Sequence, residues 1–140
     1  MSERTAIVVD ASALVKYLLR EEGWEAVSRA VRAQPLYTVD HAVKEVANAL
    51  WKHYMRKLAD RGTVLKVWKA FWRLVEAEAV VVEDERRYVE LAFSIALEDG
   101  VTVYDALYIA QSVEKNAKLL TADVRQAEAA EARGVPTVIC

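Results

Sequence analysis

Five short apolar runs punctuate the chain: residues 6–9, 36–39, 79–83, 118–122 and 136–139. They are rich in Val, Ile and Leu and show no regular alternation with polar residues, the pattern of strands buried on both faces. Between them lie stretches with apolar residues at three- and four-residue spacing, which predict helices over 12–20, 24–33, 41–59, 63–76, 86–98, 103–115 and 124–133. Strands alternating with helices indicate an α/β fold with a mostly parallel sheet covered on both sides. Two consecutive helices follow the second strand, an irregularity in the alternation. Gly23, Gly62, Gly100 and Gly134 each follow a helix-like stretch and are expected to act as left-handed C-terminal caps.

With 140 residues, 54% of them apolar, the chain is of a size to form one domain over 1–140 around one core. Its one cysteine, Cys140, leaves no intrachain disulfide, which suits a reducing compartment. Too few apolar residues precede Asp10 for a signal segment, and no run approaches a membrane span. The expectation is a cytoplasmic protein with no membrane partner.

Four carboxylates change the picture from fold to chemistry. Asp10 ends the first apolar run and Asp123 ends the fourth, so both belong at the carboxyl tips of strands. Glu45 lies early in the helix after the second strand, and Asp105 opens the helix that leads into the fourth. A helix joining parallel strands runs opposite to them, so its first turn sits beside their carboxyl ends, the edge where open α/β sheets take ligands. Each acid also has a plain structural role open to it. Asp10 can cap a helix, although Ser12 is available for that task, and both Thr102-Val103-Tyr104-Asp105 and Asp123-Val124-Arg125-Gln126 read as capping boxes. Four acids at one edge repel one another unless a cation lies among them. An all-oxygen set suits Mg²⁺ or Mn²⁺ rather than zinc. One turn from Glu45, Asn48 is placed to orient its carboxylate.

Charge and aromatic content suggest further surfaces. The net charge is −2, which argues against binding a polyanion by bulk attraction, yet residues 44–73 are strongly basic and 76–99 strongly acidic. Within the basic stretch, Lys52, Arg56 and Lys57 are candidate contacts to a nucleic-acid backbone, against the alternative of a solvated helical face. The helices from 41 to 76 carry Trp51, Tyr54, Trp68, Phe71 and Trp72, more large aromatics than two covering helices need. Trp51, Trp68 and Trp72 are therefore candidates for contact with a partner. Phosphate-cradling glycine loops and a G-x-S-x-G elbow are missing. His41 and His53, twelve apart on one helix, make a poor acid/base pair and read as ordinary surface or boundary residues.

Together, Ile7-Val8-Val9-Asp10-Ala11-Ser12-Ala13-Leu14-Val15-Lys16, Glu45-Val46-Ala47-Asn48-Ala49-Leu50, Tyr104-Asp105-Ala106-Leu107-Tyr108-Ile109-Ala110 and Leu119-Leu120-Thr121-Ala122-Asp123 resemble the PIN domain. More narrowly, the chain resembles the VapC-type ribonuclease toxins of toxin-antitoxin pairs. The resemblance implies a three-layer PIN-like fold with a five-stranded parallel sheet in the order 3-2-1-4-5, and cleavage of RNA with one or two Mg²⁺ or Mn²⁺ ions. Asp10, Glu45, Asp105 and Asp123 carry the ligand roles over, with Ser12 and Thr121 as polar neighbours. The family also implies a homodimer and a cognate antitoxin that covers the site. Two alternatives stay open: a PIN nuclease of RNA processing with no antitoxin, and a PIN-like scaffold without catalysis. A phosphoacceptor receiver domain would want adjacent acids after the first strand, and they are not present.

Overall fold

In the computed structural model, residues 5–140 are described. Five strands form one parallel sheet: β1 (Ile7–Val9), β2 (Leu36–Val39), β3 (Val80–Glu83), β4 (Lys118–Thr121) and β5 (Thr137–Ile139). Their order is β3-β2-β1-β4-β5, as the resemblance implied, with every neighbouring pair parallel. β1 sits at the centre with Ile7 opposite Leu36 on one side and Lys118 on the other. Its neighbours leave in opposite directions, so a crevice opens beside its carboxyl end.

Seven α-helices cover the sheet: α1 (Ala11–Leu18), α2 (Trp24–Ala33), α3 (His41–Met55), α4 (Arg61–Glu76), α5 (Val89–Asp99), α6 (Val103–Lys115) and α7 (Val124–Ala132). None is long and apolar enough to cross a membrane among the described residues. One core runs through the molecule. It joins Val8, Val9, Leu119 and Leu120 of the central strands to Leu14 and Val27 on one face and to Val46, Phe71, Ile95, Tyr108 and Ile109 on the helices around them. α6 is the most enclosed helix, with Ala106 through Ser112 all buried. Burial of each large apolar side chain among these contributes roughly 1.5–3 kcal/mol.

Four local expectations change. Gly62 lies inside the first turn of α4 and ends no helix; Asp60 caps α4 by accepting from Thr63 N at 2.7 Å. Gly23, at φ +95°, opens α2 instead of closing α1, and a side chain there would drive its Cβ to 2.8 Å from the carbonyl carbon of Cys140. Gly100 and Gly134 do hold the left-handed turn after their helices. The segment expected as one helix over 86–98 starts as a single tight turn, Glu85–Arg87, and α5 begins only at Val89. The helix expected to reach residue 59 stops at Met55, and Lys57, at φ +59°, turns the chain towards α4.

Candidate active site

The edge at the carboxyl ends of β1, β2 and β4 gathers the first turns of α1, α3, α6 and α7. Asp10, immediately after β1, is 4% exposed and is itself the N-cap of α1: its Oδ1 accepts from Ala13 N at 2.9 Å. Ser12, which the sequence offered as a substitute cap, lies within the helix. Its hydroxyl donates to Asp10 at 2.7 Å and accepts from Ala122 N at 3.0 Å. Thr121, fully buried at the tip of β4, donates to the other oxygen of Asp10 at 2.6 Å and accepts from Asp123 N at 2.9 Å. Ser12 and Thr121 thus hold one carboxylate between the two central strands.

The other acids come from helix starts. Asp105 sits in the first turn of α6, whose N-cap Thr102 accepts from Asp105 N at 3.2 Å. Asp123 caps α7 by accepting from Arg125 N and Gln126 N. Glu45, one turn into α3, accepts from Tyr108 Oη at 2.5 Å, and His41 Nε2 lies 3.5 Å from the same oxygen. Asn48 is exposed on α3, and Tyr108 is the group that orients Glu45. A shallow pocket of about 380 Å³ lies beside Glu45, lined also by Ser12, Val15, Lys16, Ala49 and Ala122 among others.

Electrostatics separates these acids from another carboxylate on the same side of the sheet. Glu83, at the end of β3, accepts from Tyr88, Gln111, Arg87 and Lys115; its burial is outweighed by Tyr88, Gln111 and Lys115, which hold its pKa below the usual carboxylate range. Its charge is fully met by protein. Asp10 is pushed the other way, up to about 6, by burial, with Glu45 adding to the rise and the hydrogen bonds of Thr121, Ala13 and Ser12 only partly opposing it. Asp105 is also raised, by burial and then by the charges of Asp123 and Glu45. Among the described residues, no Lys or Arg forms an ion pair with Asp10, Glu45, Asp105 or Asp123.

The donor set is all carboxylate oxygen, and the charges of Glu45 and Asp123 add to the raised proton affinities of Asp10 and Asp105, so a hard divalent cation suits it chemically. As they stand, no three His, Cys, Asp or Glu residues among those described close into a group that could hold an ion. Asp10, Glu45 and Asp123 are each turned onto protein donors instead. A cation would have to draw them inward.

Three contributors escaped the sequence. Tyr108 sits on the buried face of α6, 1% exposed, and reads locally as core. Gln126, also buried, donates to the carbonyl of Asp105 at 3.0 Å and accepts from Thr121, tying α6 to β4. His41, taken as ordinary, stacks on Tyr104 with ring centroids 4.7 Å apart and planes 9° from parallel.

The other candidate residues lie apart from this edge. Lys52, Arg56 and Lys57 are exposed at the far end of α3. An apolar groove of about 280 Å³ runs between α3 and α4, lined by Leu50, Trp51, Tyr54, Leu65 and Trp68 among others. Trp51 is 56% and Trp72 36% exposed, while Trp68 is half-buried against the core beside Phe71 and Trp72.

The profile of the family described as PIN domain matches residues 7–132. Ribonuclease VapC3 of Pyrobaculum aerophilum is 42% identical over 123 residues, 87% of this chain and 92% of the relative. Two solved structures share the fold. Mycobacterium tuberculosis VapC20, described as a toxin that cleaves the sarcin-ricin loop, superposes with a TM-score of 0.65 at 20% identity, covering 96% of this chain and all of its own. VapBC2 of Rickettsia felis, solved on a DNA fragment of its promoter, also reaches 0.65, at 10% identity and with 96% and 98% of the chains covered.

Proposed function

Since this chain belongs to the PIN domain family, we propose that it is a metal-dependent endoribonuclease and the toxin of a VapBC-type toxin-antitoxin pair. The observation that carries the reading is the acid edge: among the described residues Asp10 and Asp105 have raised proton affinities and no ion pair to a Lys or Arg, while Glu83 is paired with Arg87 and Lys115. A fold that needed Asp10 and Asp105 only at helix starts would gain nothing from setting the charges of Glu45 and Asp123 within reach of them. The 42% identical relative bears the name ribonuclease, which supports the same chemistry here.

In this reading Asp10, Glu45, Asp105 and Asp123 hold one or two Mg²⁺ or Mn²⁺ ions. When bound, the metal lowers the pKa of a water and offsets charge on the scissile phosphate. The chain's own residues supply position. Ser12 and Thr121 fix the Asp10 carboxylate, Tyr108 fixes Glu45, and Gln126 fixes the start of α6 against β4. Asn48, exposed, stands one turn from Glu45 and is free to meet a water or an RNA oxygen. Lys52, Arg56 and Lys57 give sequence-independent contacts to RNA phosphates. The chain acts as one domain, in the cytoplasm.

The α3–α4 groove, lined by Trp51 and Trp68 and with Trp72 edge-on to Trp68, is the surface for an antitoxin segment, since a half-exposed tryptophan over an apolar floor suits an amphipathic partner. α5 leaves Val89, Phe93 and Leu97 exposed at four-residue spacing, a stripe that suits a second copy in a homodimer. The decisive test is cleavage of single-stranded RNA by the purified protein. It is expected to require Mg²⁺ or Mn²⁺, to stop with chelator and to leave 5′-phosphate and 3′-hydroxyl ends. Cyclic 2′,3′-phosphate ends, or full activity in chelator, would overturn the assignment.

A further inference from the structure

Tyr104 stands directly before Asp105 and is 60% exposed, although one face of its ring lies flat against His41. His41 in turn has its Nε2 3.5 Å from Glu45 Oε1. The stack is therefore anchored to two of the four acids, by the chain at Asp105 and through space at Glu45. An exposed aromatic on a helix ordinarily swings between rotamers. Here the imidazole, itself only 16% exposed on the side chain, backs one face and leaves the other open beside the acid edge. Tyr108, one turn along α6, shows what a tyrosine does when the fold needs it: it is buried and spends its hydroxyl on Glu45. Among the described residues the Tyr104 side chain is exposed and makes no hydrogen bond, and its one ring contact is the stack with His41.

We infer that the open face of Tyr104, backed by His41, is a platform on which one nucleobase of the RNA stacks next to the scissile phosphate. This rests on the ribonuclease reading above and adds a contact to a base where the acids contact only the backbone. Any base has a π-face, so the platform fixes the register of a single strand without strong sequence preference. It also favours unpaired RNA, because a base held in a duplex has no free face to offer.

The test uses the full chain and a set of single-stranded oligoribonucleotides, each with one abasic position moved along the strand. Cleavage kinetics are measured for wild type, Tyr104→Phe and Tyr104→Ala. Wild type is expected to show a KM rise of roughly ten-fold or more when the abasic position falls next to the cut, the size of one lost base–aromatic stack. Tyr104→Phe should reproduce that profile. Tyr104→Ala should show the raised KM on intact RNA and no further loss at that position. The same abasic profile in Tyr104→Ala as in wild type would overturn the platform while leaving the nuclease reading standing. Failure of wild type to cut any of the intact strands would instead bring down the nuclease reading, and the platform with it.

Discussion

The hydroxyl of Tyr108 donates to Glu45 at 2.5 Å across 63 residues of sequence, so the one acid contributed by α3 is oriented by the buried face of α6. Burial and the adjacent glutamate push the Tyr108 pKa up, which keeps the proton on the phenol as the donor to Glu45. Tyr108→Phe removes the donor without opening a cavity. The expected result is a 10- to 100-fold loss of activity or of apparent metal affinity, the usual effect of losing a partner that orients a ligand. A metal titration of cleavage by the variant checks it. Thermal stability should shift by no more than about 1 kcal/mol in either direction.

Asp10 gives a pH dependence of unusual sign. Its folded pKa is about 6 against an ordinary value of 3.8, so the folded, metal-free protein holds this proton more tightly than the unfolded chain. Stability from this group is therefore full below about pH 4 and is lost as pH rises through 6, by up to about 3 kcal/mol. Asp10→Asn should flatten that decline and leave the metal-free fold at pH 7 as stable as wild type or more so. It should also abolish cleavage. Denaturant melts of both proteins in chelator between pH 4 and 8 decide the first point, and an RNA assay the second.

The basic end of α3 makes a different kind of prediction. Lys52 lies 7 residues beyond Glu45, so about 10 Å along the helix axis, and Arg56 and Lys57 follow directly after the helix ends, within reach of a strand whose cleaved bond sits at the acids. Replacing all three by Gln should weaken RNA binding and reduce the slope of log K against log salt by roughly 2. Folding should be unaffected, because all three are exposed. An unchanged slope in binding measurements from 50 to 200 mM salt would leave them as solvated surface.

The tryptophans should divide by burial. Trp51→Ala is expected to keep folding and nuclease activity while weakening association with the antitoxin segment by about 2 kcal/mol or more, as for an interface hot spot. Trp68, packed with Phe71 and edge-on to Trp72, should instead cost about 3 kcal/mol of stability on truncation. Calorimetric titration with the partner peptide and melts of the two variants separate the two roles.

Most of the framework was legible because it rests on short-range pattern. The double-sided apolar runs located all five strands within a residue or two, and acids at the ends of two of them pointed to the carboxyl edge. The sequence misled where two local solutions compete. Asp10 and Ser12 are both good caps, and only the position of Thr121, 111 residues away, decides that Asp10 caps while Ser12 supports it. Tyr108 and Gln126 were missed for a related reason. On a buried helix face a tyrosine or glutamine looks like any core residue until its hydrogen-bond partner, here Glu45 or Thr121, is brought across from another element. His41 was dismissed by its spacing from His53, whereas its neighbour in space is Tyr104.

The clasp of Asp10 by Thr121 has a bearing on the protein's synthesis. β1 and β2 emerge early and can pair, and Glu45 follows them from the ribosome, yet the far side of β1 stays unpaired until β4 arrives. Until then Asp10 lacks its Thr121 donor, and Asp105 and Asp123 have no sheet edge to gather against. A nascent chain that ends at β3 therefore holds only half of the acid edge. A polypeptide able to cut RNA is being made on an RNA template by a machine built of RNA, and the winding order of its own sheet delays assembly of the cutting edge until the fourth strand has left the ribosome.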